Sequence, residues 1–155
     1  MGNSVNNTMM HKTIVKNSIK RIIKELTIRA GQHDNSKLCD PEKSVYDEYS
    51  DQLHQVKYGS KEYEAIRQKM ESAIEHHFEV NRHHPEHFPG GIKEMNLVDI
   101  IEMLCDWKAR ADHDSETDII AGIEINQQKF GFSDDLKQIF INTVLSMDKN
   151  FLDNE

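Results

Sequence analysis

The sequence predicts an all-helical protein, a compact single-domain bundle of five to seven helices. Apolar residues recur at three- and four-residue steps along most of its 155 residues, which is the spacing of helices that bury one stripe. Only 3 prolines and 7 glycines interrupt this pattern. A chain of this length buries one continuous core rather than two. We therefore expect one domain over residues 11–150, preceded by a disordered segment over residues 1–10.

Each helix of the first half is predicted from its apolar stripe and its cap. A first helix over residues 11–28 is expected to break at Gly31. An aspartate followed by Pro41 is the pattern of an N-cap with proline at the first helical position, so a short second helix begins there. Ser60 caps a third helix, whose apolar stripe continues to His77.

The helices of the second half follow a histidine-rich loop. Prolines and glycines between residues 85 and 91 end any helix and define this loop. Asn96 is expected to cap a strongly apolar central helix, and an acidic connection over residues 112–118 leads on to two closing helices. These three helices are expected over residues 97–111, 119–130 and 133–147.

Composition excludes several classes of partner. The formal net charge of −8 argues against duplex nucleic acid, whose phosphates are neutralised by clustered lysine and arginine. No apolar run approaches the roughly 18 residues that span a bilayer, so we expect a cytoplasmic protein without a membrane partner. Cys39 and Cys105 lack the spacing of a disulfide framework, and they are expected to be buried as small apolar residues. Homo-oligomerisation is left open.

The histidines are the main functional signal. The chain has nine, eight of them between His11 and His87. Imidazole nitrogen together with carboxylate oxygen suits a divalent metal that activates water, and the candidates are Mn, Fe, Ni, Zn and Mg. His33 and Asp34 are adjacent, and neighbouring helical residues diverge by about 100°. Both therefore reach one cation only at a helix end or a local distortion, which Gly31 permits.

The order His11, His33-Asp34 and Asp106 resembles the metal-binding pattern of the HD-domain phosphohydrolases, and Lys37 completes the HDxxK form of several branches. The resemblance implies an HD-type helical fold and a divalent metal held by His33, Asp34 and Asp106, with His11 as the fourth ligand. It also implies catalytic roles for Asp34, which would orient the attacking water, and for Lys37, which would bind the phosphate of the substrate. The alternative for Lys37 is a surface ion pair with a carboxylate such as that of Glu42.

A closer resemblance, over most of the chain, is to a family of small bacterial and phage proteins known only as a domain of unknown function. It rests on a set of short motifs, namely His33-Asp34 with Ser36-Lys37, Pro41-Glu42 and Tyr49, His77 with Asn81 and His83-His84, and Glu102-Met103 with Asp106-Trp107. The family carries no activity to transfer. The resemblance implies only that these residues act together.

A second group of polar residues lies near the end of the third predicted helix. His77 and Asn81 are four residues apart and share one helix face, which His84 joins if the helix continues. His77, His83 and His84 are candidates for further metal ligands, and His77, Asn81 and His84 for contacts to a small phosphorylated substrate. The alternative is a hydrogen-bonded core network. His76 faces elsewhere and is expected in solvent.

Asp106 lies in the most apolar predicted helix, where an unpaired buried carboxylate is costly. We interpret it as a metal ligand, and the alternatives are a salt bridge with Arg29 or Arg82 or a bond to a helix N-terminus. Glu102 is a candidate for orienting a ligating histidine. Trp107 is expected to belong to the core.

Two functions from different classes fit these residues. The first is a metal-dependent phosphohydrolase that acts on a nucleotide or another small phosphoester. The alternative is a non-catalytic protein that sequesters a nucleotide-type signal in a histidine-rich helical pocket. A metal shell with a position left for water favours catalysis. A purely structural interaction module ranks last, because it leaves the clustered histidines unexplained.

Overall fold

The structure, a computed structural model, describes residues 2–57, 59–113 and 118–152. These residues form seven α-helices and no strand, which confirms the predicted all-helical class. The helices are α1 (Gly2–Gln32), α2 (Glu42–His54), α3 (Lys61–Lys69), α4 (Glu71–Val80), α5 (Leu97–His113), α6 (Ile119–Phe130) and α7 (Asp134–Leu152). Short 3-10 turns occur at Asn35–Leu38, Pro85–His87 and Gly91–Glu94. Among the described helices, none has the length and apolarity that crossing a bilayer requires.

The chain divides between His33 and Asp34 into two units, and the first unit contains only one helix, α1. This helix begins at Gly2, so residues 2–10, for which we expected disorder, are helical in the structure. No proline interrupts them, and the hydroxyls of Thr8 and Thr13 donate to carbonyls one turn earlier at 2.9 Å. A single helix has no second element of its own unit to pack on. That residues 11–150 form one domain stays a prediction.

In the second unit α2, α3 and α4 contact one another, and the turn Asn35–Leu38 packs on α2 and α4. Ser60 caps α3 as predicted, its hydroxyl accepting from the Tyr63 amide at 3.1 Å. The third predicted helix is broken in two at Met70, which lies between α3 and α4. The Met70 amide bonds to carbonyls both three and four residues back, so α3 tightens at its end.

Helices α5, α6 and α7 enclose the hydrophobic core. Met103 of α5, Ile123 of α6 and Phe140 of α7 are buried there. Trp107 packs against this core as predicted, and its ring stacks on that of Phe130 with centroids 6.4 Å apart. The core therefore holds α5 in place, and α5 in turn presents its acidic face to the site described below.

The observed ends of α5, α6 and α7 agree in most respects with the ends predicted from the sequence. Asn96 caps α5, because its Oδ1 accepts from the amides of Val98 at 2.8 Å and Asp99 at 3.1 Å. Helix α6 has the predicted bounds, and α7 begins one residue after its predicted start. Of the acidic connection predicted over residues 112–118, positions 114–117 lie outside the described residues.

The expected burial of the two cysteines is wrong, since both Cys39 and Cys105 are exposed. Cys39 lies in extended backbone at the end of a 3-10 turn. Cys105 shares one face of α5 with Leu97 and Ile101, at four-residue spacing, and both of these are exposed too.

Two glycines, one inside α6 and one directly after it, give a matched test of the backbone. Gly131 ends the helix in the left-handed region with φ 66°, and a Cβ there would meet nothing within 4 Å. Gly131→Ala is therefore expected to lower the free energy of unfolding by about 1 kcal/mol, through backbone strain alone. Gly122 lies inside the helix with equally open surroundings, so Gly122→Ala should raise it by about 0.5 to 1 kcal/mol. Urea unfolding measures both, and changes of the same sign would contradict this account.

Candidate metal centre

The site begins at Asp34, the first residue of the second unit. Asp34 has φ 56° and ψ 15°, in the left-handed region that aspartate tolerates better than most residues. The break predicted at Gly31 is wrong in position, because α1 continues through Gly31 to Gln32. The backbone distortion lies at Asp34 itself. Residues held in this region often mark functional sites.

Four side chains of the second unit converge on one point. Asp34, His77, His83 and His84 each offer one ligand atom, and these atoms lie within 4.8 Å of one another. His77 Nε2 lies 3.0 Å from His84 Nε2 and 3.3 Å from Asp34 Oδ1. His83 Nε2 lies 3.4 Å from the same oxygen. The cluster therefore presents three imidazole nitrogens and one carboxylate oxygen.

These separations fit the edges of a metal coordination shell. Nitrogen and oxygen atoms bound to one ion at about 2.0–2.2 Å lie roughly 2.8–3.6 Å from their neighbours in octahedral or tetrahedral geometry. Transition ions accept three imidazoles and a carboxylate, whereas Mg²⁺ prefers oxygen ligands and retains water. The cluster could therefore bind a metal ion, and its donor set favours a transition ion.

Glu42, the first residue of α2, orients His77. Its carboxylate is 0% exposed, and it lies 2.9 Å from His77 Nδ1 through Oε2 and 2.8 Å from His76 Nδ1 through Oε1. An ionised carboxylate only accepts hydrogen bonds, so Nδ1 of His77 donates to it. The Nε2 atom of His77 then has its lone pair directed into the cluster.

Three acidic residues on one face of α5 act on three consecutive residues of the loop after α4. Arg82 pairs with Asp99 and His83 with Glu102, while the charge of Asp106 raises the pKa of His84 against the larger effect of burial. Glu102 Oε1 lies 3.3 Å from His83 Nδ1, so this carboxylate orients His83 as Glu42 orients His77. The sequence indicated that Glu102 orients a ligating histidine, and that role toward a metal stays a prediction.

Burial favours the neutral form of two imidazoles of the cluster, those of His84 and His77. It lowers the pKa of His84 to about 3, a shift to which the charges of the neighbouring histidines also contribute. Burial likewise lowers the pKa of His77, with a smaller contribution from the charge of Lys37. Neutral imidazole is the form that binds a metal. The carboxylates around the histidines outnumber the single lysine, and this excess of negative charge attracts cations.

Residues 2–146 match a family described as a family of unknown function (DUF5662). The chain belongs to this family. No curated protein and no solved structure gives a significant match. The matched region of this DUF5662 protein contains all four convergent residues and the carboxylates that orient them.

The DUF5662 chain places the predicted metal ligands in both units. His11 is exposed on α1, and His33 is the last residue of the first unit. Asp106 is not one of the four convergent residues, although its carboxylate acts on His84. The ligand set that the HD resemblance implies therefore stays a prediction. In the second unit, the histidines proposed as further ligands are the ones that meet Asp34.

The predicted substrate contacts Lys37 and Asn81 lie beside the cluster. The Lys37 ammonium donates to Asp34 Oδ2 at 2.6 Å and forms its ion pair there, rather than with Glu42. The Asn81 amide donates to Ser36 Oγ and to the carbonyl of its own helix, both at 2.8 Å. Asn81 therefore ties the 3-10 turn to the end of α4, and its role toward a substrate stays a prediction.

Sequence reasoning included Glu42 in the family pattern without giving it a role toward the histidines, and it assigned no role to His76. In the sequence, Glu42 resembles any acidic residue in the first turn of a helix. Its two histidine partners lie 34 and 35 positions later in the chain. The expectation that His76 lies in solvent is corrected, since its side chain is 35% exposed and bonds to Glu42. Only the contact between α2 and α4 reveals either role.

Replacing Glu42 tests this assignment. Glu42→Gln retains one accepting oxygen but turns an NH₂ group toward the second imidazole donor. We expect the metal-free protein to lose about 1 to 3 kcal/mol in free energy of unfolding, measured by urea denaturation. Asp51→Asn, an exposed change on the same helix, is the control and should stay within about 0.5 kcal/mol of the parent. If the two changes lower the free energy of unfolding equally, Glu42 does not have the role assigned to it.

Proposed function

We propose that this chain is a metal-dependent phosphohydrolase of the HD type, acting on a nucleotide or another small phosphoester. One observation carries the proposal: ligand atoms of three histidines and of Asp34 converge within 4.8 Å of one another, and three of their separations are 3.0, 3.3 and 3.4 Å. Buried or half-buried carboxylates orient two of the three rings. When bound, a divalent transition ion supplies a Lewis acid that acidifies water and neutralises phosphate charge.

Asp34 and Lys37 link the metal position to the substrate position. Asp34 directs Oδ1 to the histidines, while Oδ2 accepts from the Lys37 ammonium. The Lys37 side chain is 36% exposed, and an ammonium has three N–H donors, so it can also meet a phosphate oxygen that arrives from solvent. In hydrolysis the oxygen of water bonds to phosphorus, the ester P–O bond breaks, and a proton passes to the departing oxygen. Lys37 would stabilise the charge that develops on the phosphoryl oxygens.

The number of protein ligands favours a second candidate, a protein that binds a phosphorylated signal without cleaving it. Four protein ligands complete the tetrahedral shell of a structural zinc site and leave no position for water. The same four ligands leave two positions on an ion of octahedral preference. The identity of the bound metal therefore discriminates between hydrolysis and binding.

Metal titration is the first test. We expect protein stripped with a chelator to bind one transition ion per chain when titrated calorimetrically with Mn²⁺, Co²⁺, Ni²⁺ or Zn²⁺, and to bind Mg²⁺ far more weakly. His84→Ala should weaken the binding by at least about 100-fold, because it removes a direct ligand. His54→Ala, an exposed change outside the cluster, is the control. Loss of binding in Asp106→Ala but not in His84→Ala would favour the ligand set implied by the HD resemblance instead.

Hydrolysis is the second test. We expect release of phosphate from some member of a panel of nucleotides and generic phosphoesters, screened with Mn²⁺, Ni²⁺, Zn²⁺ and Mg²⁺. Lys37→Met should lower kcat/KM by roughly 30- to 1,000-fold, which corresponds to about 2 to 4 kcal/mol of transition-state stabilisation. Lys43→Met removes a lysine that pairs with Asp47 on the surface of α2, and it should be without effect.

Two results would count against hydrolysis. Ligand-induced rises in Tm without turnover of any ligand would favour the binding protein. Equal activity in Lys37→Met and Lys43→Met would remove Lys37 from the site while leaving the metal centre in place.

A further inference from the structure

The loop that supplies two of the four convergent residues is built from turns, because the His84 amide donates to the Asn81 carbonyl at 3.3 Å and the 3-10 turn Pro85–His87 follows. Helix α4 ends at Val80, and Asn81 and His84 both have extended backbone. His83 and His84 therefore cannot be positioned by a helix, as His77 is. Their positions depend on what holds this loop against α5.

Arg82 and Asp99 make the strongest contact between this loop and α5. Arg82 donates from Nε to Oδ1 of Asp99 at 3.1 Å and from Nη2 to Oδ2 at 3.0 Å. This bidentate ion pair fixes the orientation of the two side chains as well as their distance. Asp99 is 0% exposed, and Oδ2 also accepts from the Asn96 amide at 2.9 Å. The Arg82 guanidinium further packs over the Phe88 ring, 4.8 Å from its centroid.

The register along α5 connects this pair to the cluster. Asp99 lies one turn before Glu102, which contacts His83, and two turns before Asp106, which acts on His84. Residues at this spacing share one helix face. A loop fixed at Arg82 therefore brings His83 to 3.3 Å from Glu102 and His84 within range of the charge of Asp106. Loss of the Arg82 pair would remove the contact that sets this register.

We propose that the Arg82–Asp99 ion pair positions His83 and His84 and so sets the affinity and geometry of the metal centre. This inference rests on the proposed function, because it requires a metal at the cluster. Arg82 is a positioning residue in this account, since it acts through the two histidines that follow it.

The test uses the metal-stripped full chain and Co²⁺, whose visible absorption reports coordination geometry. Arg82→Gln should weaken Co²⁺ binding about 10- to 100-fold, the usual effect of losing a partner that orients ligands, and should change the spectrum at saturating Co²⁺. Arg82→Lys keeps the charge but not the two-pronged geometry, and it should recover part of the affinity. The matched control is Lys129→Gln, which breaks the 2.7 Å ion pair of Lys129 with Glu86, a residue of the same loop. This control should bind Co²⁺ as the parent does.

The outcomes separate this inference from the proposed function. A parent protein that binds none of the transition ions overturns the proposed function and this inference with it. A parent that binds Co²⁺, with unchanged affinity and spectrum in Arg82→Gln, overturns this inference alone, even if the metal-free Tm of that variant falls. Equal weakening in Arg82→Gln and Lys129→Gln would also overturn it, because loosening the loop anywhere would then suffice.

Discussion

The buried carboxylate of Glu42 is the constraint on which the site depends. A carboxylate removed from water is tolerated only where donors meet it, and here two consecutive imidazoles of α4 do so. That contact joins α2 to α4 and decides which nitrogen of His77 carries the proton. Because Nδ1 donates to Glu42, Nε2 turns toward Asp34. The same hydrogen bond therefore joins two helices and sets the tautomer of His77, a candidate metal ligand.

A second set of carboxylates, on α5, repeats the arrangement. Helix α5 is held by the aromatic core on one face and presents Asp99, Glu102 and Asp106 on another. The core packing therefore has a functional consequence, since it fixes the acids that hold the histidine loop. Carboxylates of α2 and α5 lie beside the imidazoles, and such a site attracts a cation more strongly than an anion. The anionic substrate that we propose would then be easiest to admit once a metal ion and Lys37 offset that charge.

What the sequence predicts correctly is local. Caps such as Ser60 and Asn96 act within a few residues of themselves, and the apolar stripe that placed His77 on a buried face repeats within one helix. What the sequence hides is tertiary or conformational. No glycine marks the left-handed turn at Asp34 in the sequence. Gly31 is the more obvious position for the helix to end. The role of Glu42 depends on the packing of α2 against α4, which no spacing reveals.

The four convergent residues come from three separate segments, namely the turn at Asp34, helix α4 and the loop of His83 and His84. A metal ion bound there would cross-link these segments. The carboxylates of Glu42 and Glu102 already orient two of the rings without it. In small zinc domains that fold only with their metal, much of the binding free energy goes into folding. A centre whose side chains are already positioned by hydrogen bonds and ion pairs does not need the metal in order to fold. Most of its metal-binding free energy would therefore appear as affinity for the metal.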